Sequence, residues 1–85
     1  MNKIIDICSH CYDSMKLRGV SEDEVIETIR NSKWVFIEGN RYFAEKEFVY
    51  RNMWYGHWYL YKKVKVIFAE ETNKIVAITV LSFYY

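Results

Sequence analysis

The sequence predicts an α+β domain: two N-terminal helices packed on a three- to four-stranded antiparallel sheet. Three observations carry that expectation. A helix stop and a helix start stand back to back over Arg18–Glu24. From Trp34 onward the chain is rich in strand-forming residues, and in Arg41 to Tyr50 and Lys63 to Phe68 apolar and polar residues fall on opposite faces with the period of a strand. No proline interrupts any element, and Gly39-Asn40 and Glu70–Lys74 supply turn signals between the extended runs.

The first helix is expected to reach back to about Ile4. Ile4, Cys8, Cys11, Tyr12 and Met15 would then share one apolar stripe. Arg18 is its last residue: Gly19 can take the left-handed conformation at C′, and Val20 at C″ can touch Met15 at C3, as in a Schellman motif. Ser21-Glu22-Asp23-Glu24 then opens the second helix as a capping box, with Ser21 at the N-cap and Glu24 at N3. Three acidic residues in that first turn suit the positive end of the helix dipole. Val20 and Val25 flank the cap as a hydrophobic staple.

The remainder reads as a sheet. Trp34 to Glu38 is a short β-rich run that ends at the Gly39-Asn40 turn. Arg41 to Tyr50 is extended, with Tyr42, Ala44, Phe48 and Tyr50 opposite Glu45 and Glu47. Arg51 to Gly56 reads as a connection, and His57 to Ala69 as the next strand. In that strand Val64, Val66 and Phe68 point one way, and Lys63 and Lys65 the other. Ile75 to Phe83 is apolar on both faces, which fits a central strand covered on both sides.

Composition bounds the function. At 85 residues this is one small domain, and 52% hydrophobic and 19% aromatic residues compensate with large side chains for its short length. A net charge of +1 argues against a general polyanion-coating protein but leaves room for a local basic face. The longest apolar run, Ile75 to Tyr85, is too short to span a bilayer and contains Thr79 and Ser82. Asp6 interrupts the N-terminal apolar stretch, so no signal peptide is expected and a cytoplasmic setting follows. Gly19, Gly39 and Gly56 are the only glycines, so no nucleotide-binding loop and no cofactor is implied. No serine sits in a recognisable nucleophile context.

Cys8-Ser9-His10-Cys11 has C-x-x-C spacing. Zinc needs four ligands, and only distant His57 is left to complete the set, so no metal site is expected. A thioredoxin-like dithiol needs a preceding strand and a helix N-terminus. With Cys8 and Cys11 read inside a helix that begins near Ile4, both are expected to be small buried hydrophobes.

His10, Met15, Arg18-Gly19-Val20-Ser21 and Val25, followed by strands and by Ala77-Ile78-Thr79-Val80, resemble the domain-of-unknown-function family numbered 4258. The resemblance covers residues 9–31 closely and the sheet by pattern. That family is placed near the RelE and BrnT toxins, which share a helix-pair-plus-sheet fold and cleave RNA. The chain departs from it at Ser14, where an arginine is common, and in a longer aromatic insertion around Arg51 to Tyr61. The resemblance implies RNA as substrate and an antitoxin-like protein as partner.

Capping accounts for Gly19, Val20, Ser21, Glu24 and Val25 but leaves His10 and Arg18. Eight residues apart on a helix, these two are separated by about 12 Å along the axis and about 80° around it. A functional reading makes His10 a general acid or base and Arg18 a phosphate clamp. The alternative bonds His10 to Asp6 or Ser14 and leaves Arg18 to the helix dipole. Arg41 to Lys65 holds six Lys and Arg, two Glu and nine aromatics, the composition of a surface that stacks bases and holds a phosphate backbone. Three functions follow. One is a metal-independent, RNA-cleaving enzyme using His10, Arg18 and His57, with Arg41, Lys46, Arg51, Trp58 and Lys63 on the RNA. Another is a non-catalytic module that binds nucleic acid or protein. The third is a homodimer formed through the aromatic excess.

Overall fold

Four residues at the start of the described chain, Ile4-Ile5-Asp6-Ile7, are β-branched at every apolar position, and they form a strand rather than the first turn of a helix. The computed structural model describes residues 3–85. Its elements run β1 (Ile4–Ile7), α1 (Ser9–Arg18), α2 (Glu22–Asn31), β2 (Val35–Glu38), β3 (Arg41–Trp54), β4 (His57–Glu70) and β5 (Lys74–Tyr84). The fold is α+β with two helices, as expected. The sheet differs from expectation: it has five strands in the order β1-β5-β4-β3-β2, and β1 runs parallel to β5. The parallel strand corrects the three- to four-stranded antiparallel sheet. It also removes Ile4 from the helical stripe, where Ile4 stands 73% exposed while Cys11 and Met15 are buried.

The helix corner forms as the sequence dictates. Gly19 has φ +69°, and the Val20 amide donates to the Met15 carbonyl at 3.0 Å, the outer bond of a Schellman motif. The Glu24 amide donates to Ser21 Oγ at 3.2 Å, and the Ser21 amide donates to the Glu24 carboxylate at 3.0 Å. Both halves of the capping box are therefore made.

Both helices bury their apolar residues against one core. Cys11, Met15, Val20, Val25 and Ile29 meet Ala44, Val64, Val66, Phe68, Ala77 and Val80 from the three inner strands. Trp34 closes the far end: its indole N–H donates to the Ile29 carbonyl at 2.8 Å, and its ring stands edge-on to Phe68 at 4.8 Å. In β5 only alternate positions are buried (Ile75, Ala77 and, past an irregularity in its pairing with β4, Val80). Val76, Ile78 and Leu81 remain half-buried, so β5 is not the strand sealed on both sides that its composition suggested.

The connection expected over Arg51 to Gly56 shrinks to two residues. β3 and β4 pair out to Trp54 with His57, and Tyr55 (φ +49°) and Gly56 (φ +82°) make a tight two-residue hairpin turn. A register shift between Val49 and Asn52, with Arg51 at φ +47°, marks a β-bulge that lets β3 continue. Beyond Val49 the two strands form a ribbon without β2 beside it, and β5 stops at the level of Tyr61. No helix of the described residues is long and apolar enough to cross a membrane.

Candidate functional site

The residues singled out by sequence fall into three places rather than one. His10 lies exposed in the first turn of α1, and Arg18 lies exposed at its end. Arg41 opens β3, whereas His57 opens β4 at the hairpin turn, opposite Trp54. A strand of that length spans about 40 Å, comparable to the longest dimension of the molecule, 42 Å. Arg41 and His57 therefore belong to opposite ends of the domain. Arg51 and Trp58 are exposed on the ribbon with His57, and Lys63 stands half-buried on β4 across from Glu47.

The neighbourhood of His10 is occupied through its backbone. Ser14 Oγ donates to the His10 carbonyl at 3.2 Å and shares a 2.8 Å hydrogen bond with the Thr79 hydroxyl. Arg18 likewise contributes its carbonyl, which accepts from Ser82 Oγ at 2.8 Å and from the Tyr84 hydroxyl at 2.7 Å. The guanidinium is not what the fold uses there.

The basic excess of Arg41 to Lys65 is largely neutralised in space. Lys62 pairs with Glu24 at 2.8 Å and Lys46 with Glu27 at 3.7 Å, so α2 lends its acids to the sheet. Lys63 and Lys65 face Glu47 and Glu45 across the β3–β4 ladder. Lys65 also lies over the Phe43 ring at 4.2 Å.

Lys62 is the residue that the sequence reading passed over. It is 4% exposed, and its ammonium donates to the Gly19 carbonyl as well as to Glu24. The Tyr50 and Tyr84 rings lie 5.5 and 5.9 Å from it. The signal was available in the strand alternation: Val64, Val66 and Phe68 point inward, and parity puts Lys62 with them. Around this lysine the aromatics gather. Trp54 stacks on Tyr84 at 4.7 Å, Tyr50 meets Tyr84 edge-on at 5.1 Å, and Tyr59 is 5.8 Å from Tyr84. Burial raises the Tyr84 hydroxyl above its ordinary pKa. Half of the aromatic excess is thus a clamp on the helix corner.

The other half faces outward. Val49, Met53, Tyr55 and Trp58 are each more than half exposed, and Met53 and Trp58 are directly cross-strand neighbours. Next to them Tyr61 and Tyr85 exchange both backbone hydrogen bonds, and the Tyr85 hydroxyl donates to Glu47. Among the described residues, no group of three or more His, Cys, Asp or Glu is placed to hold a metal ion. No family model, curated protein or solved structure matches this chain.

Proposed function

We propose that this chain is a non-catalytic interaction module that associates with a second copy of itself through the outer part of the β3–β4 ribbon. The observation that carries the reading is the contrast between the two ends of the site. His10, Arg18 and Arg41 stand apart, while Met53 and Trp58 lie exposed directly across from each other on the ribbon, beside the exposed Tyr55 of its turn. Exposed apolar patches of this kind mark protein contacts. The patch carries no acid, since residues 48–69 contain neither Asp nor Glu; Lys62 is buried against Glu24, Lys63 faces Glu47 across the ladder, and Arg51 is left as an exposed cation. A weakly charged apolar surface meets its like without electrostatic penalty. The outer edge of β3 past Phe43 has no strand beside it, which adds free backbone groups next to the patch.

Light scattering over a concentration series tests the reading. A dimer that dissociates on dilution is expected, and Tyr55→Ser with Trp58→Ser should leave a monomer. A wild-type monomer at the highest attainable concentration would overturn it.

A second reading follows from the resemblance to the family numbered 4258 and to RelE- and BrnT-like toxins. It makes the chain a metal-independent ribonuclease acting on single-stranded RNA. In it His10, Arg18 and His57 do the chemistry, and Arg41, Lys46, Arg51, Trp58 and Lys63 hold the strand. Arg51, His57 and Trp58 exposed together on an acid-free ribbon favour it. Induced expression would then slow growth and fragment RNA, with His10→Ala or Arg18→Ala relieving both. Intact RNA in a healthy culture would exclude it.

A further inference from the structure

The C-x-x-C segment sits in a different place from the one its helical spacing suggested. β1 ends at Ile7 and α1 begins at Ser9, so Cys8 occupies the N-cap between a strand and a helix. The Tyr12 amide donates to the Cys8 carbonyl at 3.1 Å, which fixes Cys8 at the cap and Cys11 three residues on, in the first turn. In a regular helix side chains three apart have Cβ atoms about 5–6 Å apart, beyond the roughly 3.8 Å of a disulfide. Closing the bond therefore requires a small backbone shift at Cys8, whose extended conformation places it at the cap rather than in the helix proper. The first turn of α1 carries no acidic residue to oppose a thiolate at the positive end of the helix.

The two thiols have unlike surroundings. Both are free, but Cys8 is partly exposed and Cys11 is fully buried. Burial, and then the neighbouring Cys8, push the Cys11 thiol up to about 11. Cys8 is held at the surface of the sheet from two directions. Its amide donates to the Ala77 carbonyl at 3.3 Å, and its thiol donates to the Ile78 carbonyl at 3.6 Å. Ile78 is the unpaired residue where the β4–β5 register shifts, so its carbonyl is available to receive the thiol. An accessible outer thiol and a buried inner one, on the first turn of a helix that follows a strand, form the arrangement in which one sulfur attacks and the other resolves.

We infer that Cys8 and Cys11 form a redox-active dithiol that exchanges with low-molecular-weight disulfides, with Cys8 as the attacking sulfur. The Cys8 thiolate attacks one sulfur of the disulfide, forming a mixed disulfide and expelling one thiolate, which takes up the proton that Cys8 lost. The Cys11 sulfur then attacks Cys8. The Cys8–substrate bond breaks, the Cys8–Cys11 bond forms, and the second departing thiolate takes up the Cys11 proton. The two cysteines lose two electrons, and the small disulfide gains them as two thiols. The partial burial of Cys8 between α1 and β5 selects small partners over folded proteins. This activity is independent of the ribbon surface and stands or falls separately from it.

The full-length chain is equilibrated against mixtures of reduced and oxidised glutathione, quenched with a thiol-alkylating reagent and weighed by mass spectrometry. Both alkylatable thiols should disappear together as oxidised glutathione rises, with the mass of an internal disulfide and no retained glutathione. Cys11→Ala, whose apolar side chain suits the buried site, should accumulate glutathione on Cys8. Cys8→Ala should leave Cys11 unmodified in the folded chain. Two free thiols at every ratio, or wild-type protein that ends with glutathione on Cys8 and a free Cys11, would overturn the inference. The wild-type titration decides it without relying on either variant.

Discussion

The ammonium of Lys62 and the carboxylate of Glu24 meet at 2.8 Å beneath the corner where α1 turns into α2. Glu24 also closes the capping box of α2, and Lys62 also holds the Gly19 carbonyl. One ion pair therefore ties the start of the second helix and the end of the first to the middle of β4. Replacing Lys62 by Met removes the charge but keeps the stem, leaving Glu24 and the Gly19 carbonyl without their donor. Breaking a buried pair from one side costs about 3 kcal/mol or more. Urea denaturation of Lys62→Met should show a midpoint lowered accordingly with an unchanged slope. An unchanged midpoint would mean that the corner does not depend on this pair.

Gly19 is held by contact as well as by conformation. A Cβ there would collide with Cζ3 of the Trp54 indole, and would lie 2.6 Å from its Cη2 and 2.9 Å from the Tyr84 hydroxyl, at φ +69°. Gly19→Ala should cost about 1–2 kcal/mol for the left-handed backbone, and more for displacing the stacked rings. Pairing it with Trp54→Ala should recover the part due to the indole and leave the backbone part and the Tyr84 contact, which a double-mutant cycle in urea separates.

Alkaline stability should follow the buried thiol. In the folded chain Cys11 is raised from an ordinary 9.0 to about 11, so the folded state holds its proton more tightly than the unfolded state. That contribution is complete below about pH 9 and is lost as pH rises towards 11. Tyr84, also raised by burial, extends the loss above its ordinary value of 10.0. Denaturation midpoints under reducing conditions should fall across this window, by roughly 2 kcal/mol for the thiol, and Cys11→Ala should flatten the lower part of the decline. A wild-type profile level to pH 11 would contradict it.

Trp58 should separate association from folding. The residue is 58% exposed, so Trp58→Ser is expected to change stability by less than about 0.5 kcal/mol. The same substitution should weaken the dimer. Thermal melts at low protein concentration and sedimentation at high concentration read the two effects independently.

The corner over Arg18–Glu24 was legible because its instructions are local. A glycine stop, an N-cap serine and a glutamate three residues later satisfy helix-end groups within one turn. The alternation of β3 and β4 was legible for the same reason. β1 was not, because Ile4-Ile5-Asp6-Ile7 is ambiguous alone, and its partner, Lys74–Ala77 of β5, is about seventy residues away. The aromatic segment misled because Tyr55-Gly56 is enough to turn the chain, so residues taken for a connection are paired strand.

By itself, then, the sequence determined the junction of the two helices, the start of the second and the inward face of β3 and β4, all set by patterns within a few residues. Only the tertiary structure decided what the charges and thiols do. Lys62 is a buried strut because α2 brings Glu24 to it, and Lys46 is matched by Glu27 from the same helix. Cys8 caps a helix instead of lying within one because β1 finds β5. Electrostatics and sulfur chemistry depend on which groups lie within a few ångströms, and it is the long-range pairing of strands and helices that sets those distances.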